Sequence, residues 1–158
     1  MKIVEYTSER SNDIASLFTQ AVHEIDDAIY DKAQKNAWAP QPIDYIKWQE
    51  RLAETKPFIM LINDQVAGFI EFAADGHIDC TYVSPQFQGR GVATLLFQHI
   101  LLMAKQAELK ELTVEASKVA KPFFEKMGFV SIKKNKIKRS GVILVNYSMS
   151  LNLRGVCG

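Results

Sequence analysis

No stretch of this sequence approaches the roughly 18 consecutive apolar residues that a membrane-crossing helix needs. The opening segment Met1-Lys2-Ile3-Val4-Glu5-Tyr6 alternates like a strand and lacks the apolar centre of a secretory leader. Cysteine is scarce: Cys80 and Cys157 are two thiols without the spacing of a disulfide framework, so a reducing, cytoplasmic setting is expected. An excess of one charge is also missing. Lys and Arg number 19 against 18 Asp and Glu, a formal net charge of +1, so no global field favours nucleic acid or a membrane surface. No His, Cys, Asp and Glu cluster has metal-ligand spacing, and no metal is expected. Repeats and low-complexity linkers are absent too. What remains is an ordinary globular composition, 47% hydrophobic and 23% charged over 158 residues. That length suits a single domain, residues 1–158, which would bury about two-thirds of its unfolded surface.

Two common phosphate-binding strings are missing as well. There is no Gly-x-x-x-x-Gly-Lys-Ser/Thr, and a Gly-x-Gly-x-x-Gly fingerprint would need glycine at Thr94. The sequence does contain Gln86-Phe87-Gln88-Gly89-Arg90-Gly91-Val92-Ala93, placed between a strand, 77–83, and an apolar helix. Glycines let backbone approach a ligand closely. The first N–H groups of a helix have no partner within it and, with the positive end of the helix dipole, hold an anion. Arg90 adds a positive charge at the same turn. Downstream lies Leu112-Thr113-Val114-Glu115-Ala116-Ser117, then Ala120-Lys121-Pro122-Phe123-Phe124-Glu125-Lys126-Met127-Gly128-Phe129. These read as a strand and a short helix from near Ser117, stopped at Gly128.

Around these motifs the reading is coarse. It places strands at 2–6, 58–62, 66–72, 77–83, 111–116, 129–138 and 142–151. Ser11 is the expected N-cap of a first helix carrying Ile14, Leu17, Phe18 and Val22. Residues 23–36 are expected to continue helically, with a break at Trp38-Ala39-Pro40-Gln41-Pro42. Further helices are expected over 43–53 and from Gly91 to about Ala107, the latter apolar nearly all round and buried on most sides. Residues 153–158 are expected to fray.

The Gln-x-x-Gly-x-Gly string at Gln86, Gly89 and Gly91 resembles the coenzyme A loop of the GNAT N-acetyltransferase superfamily. The match at Ala120, Phe123, Lys126, Gly128 and Phe129 resembles that family's second motif. The resemblance covers about residues 58–150. It implies an α/β (α+β) GNAT fold: a mixed, twisted, mostly antiparallel sheet of about seven strands flanked by helices. The sheet would be splayed between 77–83 and 111–116 to hold acetyl-CoA, the acetyl donor. The implied cofactor-binding residues are Tyr82 and Val83 for the pantetheine arm and thioester. For the pyrophosphate they are the backbone of Gln88, Gly89, Arg90, Gly91, Val92, Ala93 and Thr94. Ser117, Phe123, Phe124 and Lys126 would flank the other side. Two positions depart from the pattern: Ser117 stands where Asn is usual, and Phe124 stands where the family has its proton-donating Tyr. A thiol pKa near 8.5 allows a thiolate to leave unassisted; Tyr147, Tyr82 or a water are the other donors to consider.

A base must take the amine proton if the acceptor is an alkylamine. Strand alternation would put His77, Asp79, Thr81 and Val83 on one face. His77 and Asp79 are the leading candidates and Glu71 the third. Cys80, facing oppositely, is read as a packing thiol rather than a nucleophile, and His99 as a core residue. The resemblance makes the first helices the wall of the acceptor pocket, with Trp38, Tyr45 and His23 as candidate acceptor contacts. The run Lys133-Lys134-Asn135-Lys136-Ile137-Lys138-Arg139 reads as an exposed edge strand. The expected activity is acetyl transfer to the primary amine of a small molecule in a ternary complex. No nucleic-acid or membrane partner is expected, and a homodimer through the last strand is possible for this superfamily. The alternatives are an acetyl-CoA-binding module without turnover, a protein or peptide N-acetyltransferase, and an adaptor using the 133–139 run.

Overall fold

A computed structural model describes residues 1–154. The elements are β1 (Lys2–Glu5), α1 (Ser11–His23), α2 (Lys32–Trp38), α3 (Tyr45–Thr55), β2 (Phe58–Ile62), β3 (Gln65–Phe72), β4 (His77–Val83), α4 (Val92–Gln106), β5 (Glu111–Ser117), α5 (Lys121–Lys126), β6 (Val130–Arg139) and β7 (Val142–Asn152). Among the described residues the strands form one sheet in the order β1-β2-β3-β4-β5-β7-β6. Every neighbouring pair is antiparallel except β4 and β5, which are parallel.

Each face of the sheet carries its own core. On one face Ile70, Ile78, Leu112, Val114 and Met149 pack against α4, α5 and Phe129. On the other, Ile59, Leu61, Phe69 and Cys80 pack against Ile14, Phe18 and Val22 of α1 and Leu52 of α3. At about 25 cal/mol per Å² of apolar surface removed from water, these two layers supply most of the favourable folding energy. Gly68 sits where β3 passes closest to α4. A Cβ added there would lie 2.8 Å from Val92 Cγ1 and 3.0 Å from the Tyr82 carbonyl oxygen.

The sequence-based boundaries shift in several places. Ser11 is buried inside the first turn of α1, and Arg10 holds the cap position without a side-chain bond. The helix expected across 23–36 is two helices. α1 stops at His23, and Asp31 and Gln34 form a reciprocal capping box that starts α2. The buried Lys35 ammonium then donates to the His23 and Ile25 carbonyls, satisfying groups left open at the end of α1. The short helix begins at Lys121 rather than near Ser117, which is the last residue of β5. α4 has an exposed apolar edge at Leu95, Leu102 and Met103. Leu153 is buried and its N–H donates to the Lys110 carbonyl, so the chain does not fray there; 155–158 lie outside the described residues.

The lack of space at Gly68 gives a direct test. Gly68→Ala is expected to destabilise the fold by about 1–3 kcal/mol, the cost of overpacking a close contact. A lower urea midpoint at unchanged slope is the expected readout.

Candidate active site

β4 and β5 pair at only two positions, His77 with Thr113 and Ile78 with Val114. Beyond them the strands part. β4 stays bonded to β3 through Val83, and β5 stays bonded to β7 through Ser117, so the gap is held open from both sides. The Ser84 N–H donates to the Ala67 carbonyl on the β3 side, so by strand alternation the backbone groups of Thr81 and Val83 face the gap, where β5 no longer pairs with them. The gap opens into a cleft of about 1200 Å³.

One wall of the cleft is Tyr82, Val83, Gln88, Gly89, Gly91, Val92, Ala93 and Thr94, and the facing wall includes Ser117, Ala120, Phe123 and Phe124. Gly89 and Gly91 have φ of +79° and +77°, a region that L side chains rarely adopt. A Cβ at either glycine would meet nothing within 4 Å, so the loop stands clear of the protein and presents bare backbone. No side chain caps the following helix, which leaves its first N–H groups facing the same space. This arrangement fits a pyrophosphate.

Two residues expected at the coenzyme, Arg90 and Lys126, do not line the cleft. Arg90 turns away, its guanidinium 5.4 Å from the Phe87 ring centre. Lys126 is exposed on α5 and also lies outside it. Ser117 is present, but its hydroxyl already accepts the Ala120 N–H at 3.1 Å. Phe124, 1% exposed, packs edge-on against Phe123 and Phe129.

The candidate bases separate in space. β4 carries a bulge: Cys80 lies opposite Glu71 and Ile78 opposite Phe72, so Asp79 has no partner on β3. The bulge switches the faces. Ile78 and Val83 pack on the α4 side, and Cys80 and Tyr82 on the α1 side. The expected common face of His77, Asp79, Thr81 and Val83 therefore does not form. Asp79 is instead turned into the cleft with His77, whose Nε2 lies 3.7 Å from the carboxylate. The other ring nitrogen, Nδ1, is 2.7 Å from the Thr113 hydroxyl on β5. Glu71 does not reach the cleft. It is fully buried and accepts hydrogen bonds from Arg51 Nε, Arg51 Nη2 and the Thr55 hydroxyl. Its carboxylate anchors α3 to the sheet. Tyr147 also stays out of the cleft, with the Lys121 ammonium 4.8 Å from its ring centre.

Aromatic rings line the side of the cleft under α1–α3. Phe18, Tyr30, Trp38, Trp48 and Tyr82 all face it, and Tyr82 packs against Phe18, Trp38 and Phe69. Burial holds the Tyr82 hydroxyl well above the ordinary phenol range, so it stays protonated. Trp38 lines the cleft as expected, but Tyr45 and His23 do not. The Tyr45 hydroxyl lies 3.2 Å from that of Ser16 on the helix surface. His23 donates from Nε2 to the Ala39 carbonyl at 2.7 Å, tying α1 to the end of α2.

Tyr30 has no sequence signal. It is 1% exposed, and its hydroxyl donates to the Val145 carbonyl while accepting the Lys118 N–H. Gln34 adds a bond from its amide to the Ile143 carbonyl. Together they tie the α1–α2 segment to β7. Lys47, Arg51, Glu115 and Arg139 complete the polar lining and were not singled out from sequence. For Lys47 and Arg51 a signal existed: they sit one turn apart on α3, on either side of Trp48. Glu115 and Arg139 meet the cleft only through the sheet and the β6–β7 hairpin.

A splayed sheet with a glycine-lined helix start at the gap is the arrangement that the resemblance to the GNAT superfamily implied. A family model described as an acetyltransferase (GNAT) domain matches residues 25–151, and the chain belongs to that family as a GNAT-type N-acetyltransferase. An uncharacterised N-acetyltransferase of Escherichia coli K12, YafP, is 33% identical over 149 residues, 94% of each chain. The crystal structure of a GCN5-related N-acetyltransferase from Rhodopseudomonas palustris superposes with a TM-score of 0.90 at 30% identity, covering 96% of this chain and 95% of that one. The PaiA N-acetyltransferase of Thermoplasma acidophilum, solved in complex with coenzyme A, shares the fold with a TM-score of 0.73 at 13% identity, covering 96% and 98%. Among the described residues no helix is long and apolar enough to cross a membrane, and no group of three or more His, Cys, Asp and Glu could hold a metal ion.

The Cys80 environment gives a second test. Burial, with the Glu71 charge behind it, pushes the thiol far up and keeps it protonated. In a Cys157→Ser background, Cys80 is expected to resist iodoacetamide at pH 8 in the folded protein and to react on unfolding in urea. Rapid labelling of the folded protein would contradict this.

Proposed function

We propose that the protein transfers acetyl from acetyl-CoA to the primary amine of a small molecule, by direct attack in a ternary complex. The parting of β4 from β5 beside the open Gly89–Gly91 loop is the observation that carries this reading. The backbone of residues 88–94 would hold the pyrophosphate, and the free edge of β4 at Thr81 and Val83 the pantetheine arm. Ser117, Phe123 and Phe124 would pack on the opposite side. Acetyl-CoA supplies a thioester whose C–S bond breaks as the amine nitrogen forms the new C–N bond.

His77 and Asp79 would remove the amine proton, directly or through water, with Thr113 fixing the ring of His77. Phe124 offers no hydroxyl to the leaving sulfur. The thiolate leaves without a donor at that position, consistent with a thiol pKa near 8.5. The Tyr30 and Gln34 bonds to β7 support a small acceptor over a peptide, because they bridge the walls of the acceptor half.

Calorimetric titration with acetyl-CoA, followed by thiol release on an amine panel, tests the reading. Binding with release is the expected result; absence of binding would overturn it. Gly91→Val places a branched side chain at a positive φ and is expected to weaken acetyl-CoA binding by about tenfold or more. Either His77→Ala or Asp79→Ala is expected to lower kcat/KM by about 10²–10⁴-fold and to flatten the rising limb of the pH–rate profile. Unchanged profiles in both variants would remove the base from β4.

A further inference from the structure

The cleft is lined by charge of both signs, and of these groups Asp79 has the His77 ring 3.7 Å from its carboxylate. Asp79 and Glu115 are the carboxylates, the first on β4 and the second on β5. Lys47 on α3 and Arg139 at the end of β6 are the cations. Arg51 is already matched by buried Glu71. Lys47 and Arg139 have no such match: neither makes an ion pair or a side-chain hydrogen bond among the described residues. No salt bridge links either of them to Asp79 or Glu115, although all four line the same space. The cleft therefore keeps its two signs apart on different elements.

An ordinary ammonium acceptor would gain from Asp79 and Glu115 but be repelled by Lys47 and Arg139. A molecule carrying an anionic group at a distance from its amine meets both sets favourably. We propose that the acceptor is such an amine, with a carboxylate or a phosphate-like group held by Lys47 and Arg139 while its amine lies toward Asp79. This rests on the proposed acetyl transfer to a small amine and specifies the substrate class. Neither cation belongs to β4 or α4, the elements that flank the glycine loop, so the anion they await is assigned to the acceptor rather than to the coenzyme. The aromatic wall of Trp38 and Trp48 would cover the apolar body between the two ends.

The test uses matched amines with and without a distant anionic group: phenethylamine with 4-(2-aminoethyl)benzoate, and propylamine with β-alanine and with 3-aminopropylphosphonate. Each is assayed by thiol release and titrated into the protein–CoA complex. The expected result is a kcat/KM about tenfold or more higher for anionic members; the carboxylate and phosphonate arms separate the two anion types. Lys47→Ala and Arg139→Ala should each raise KM for the anionic acceptor by about tenfold and lower it for the neutral match, whose ammonium the two cations repel, with the KM for acetyl-CoA unchanged. Both positions are exposed, so folding should survive, and circular dichroism with acetyl-CoA titration checks it. Equal or better use of the neutral members, or no binding of any anionic member to the CoA complex, would overturn the proposal while leaving acetyl transfer standing. A raised KM for acetyl-CoA in the two variants would also overturn it, by assigning the cations to the coenzyme. Failure of acetyl-CoA to bind the unsubstituted protein is the separate outcome that removes the underlying function.

Discussion

The parting of two neighbouring strands is the constraint on which the rest of this molecule depends. A parallel pair of strands inside an otherwise antiparallel sheet needs a crossover, and here α4 supplies it. After two paired residues the strands diverge, yet neither becomes a loose edge, because each keeps a full antiparallel partner on its far side. The cost of the unmade β4–β5 bonds falls on a few backbone groups that a ligand can satisfy. The same crossover delivers the start of α4, with its unpartnered N–H groups, to the mouth of the gap. Opening the sheet and setting the uncapped helix start beside the gap are thus one event.

The two faces then take different work. The α4 side is a dry core, with Phe97, Phe123, Phe124 and Phe129 in edge-to-face contact. Phe124 belongs to that cluster. It also forms part of the cleft wall, to which it offers a ring edge and no hydroxyl. The α1 side is mixed. Its rings line the cleft, and its polar groups are either locked, as in Glu71 with Arg51 and Thr55, or turned into the cleft, as in Asp79 beside His77. Breaking the first arrangement would strand a buried carboxylate at a cost of about 3–5 kcal/mol. The difference between Glu71 and Asp79 is therefore one of environment, since both are carboxylates on neighbouring strands. The bulge at Asp79 produces it, by pushing one carboxylate out of the ladder while the other stays under α3.

Much of the architecture was legible from local chemistry. The glycine string, the strand before it and the apolar helix after it have a physical reading that needs no distant contact. The strands were placed nearly to their ends, because period-two patterning and the turns at Asn63-Asp64 and Asp75-Gly76 are local signals. The misreadings share a cause. His23 and Tyr45 looked like pocket residues by proximity in sequence to the first helices, but one side chain is consumed by the Ala39 carbonyl and the other by Ser16. Arg90 looked like an anion ligand and lies on Phe87. The Ser11 cap failed because a turn at Ser8–Arg10 runs straight into α1, leaving Ser11 already helical with its N–H on the Ser8 carbonyl; the unbroken 23–36 helix failed because Asp31 and Gln34 start a new helix eight residues after the end of α1.

The sequence by itself determined the order of elements, the position of the glycine loop before α4 and the family to which the chain belongs, since each depends on residues close together in the chain. Only the tertiary structure decided which carboxylate enters the cleft, that Tyr30 and Gln34 bind β7, and that Lys47 and Arg139 share a cavity with Asp79 and Glu115. A one-residue bulge reverses a face without changing composition. Contacts between residues about a hundred positions apart leave no periodic trace in the chain that makes them.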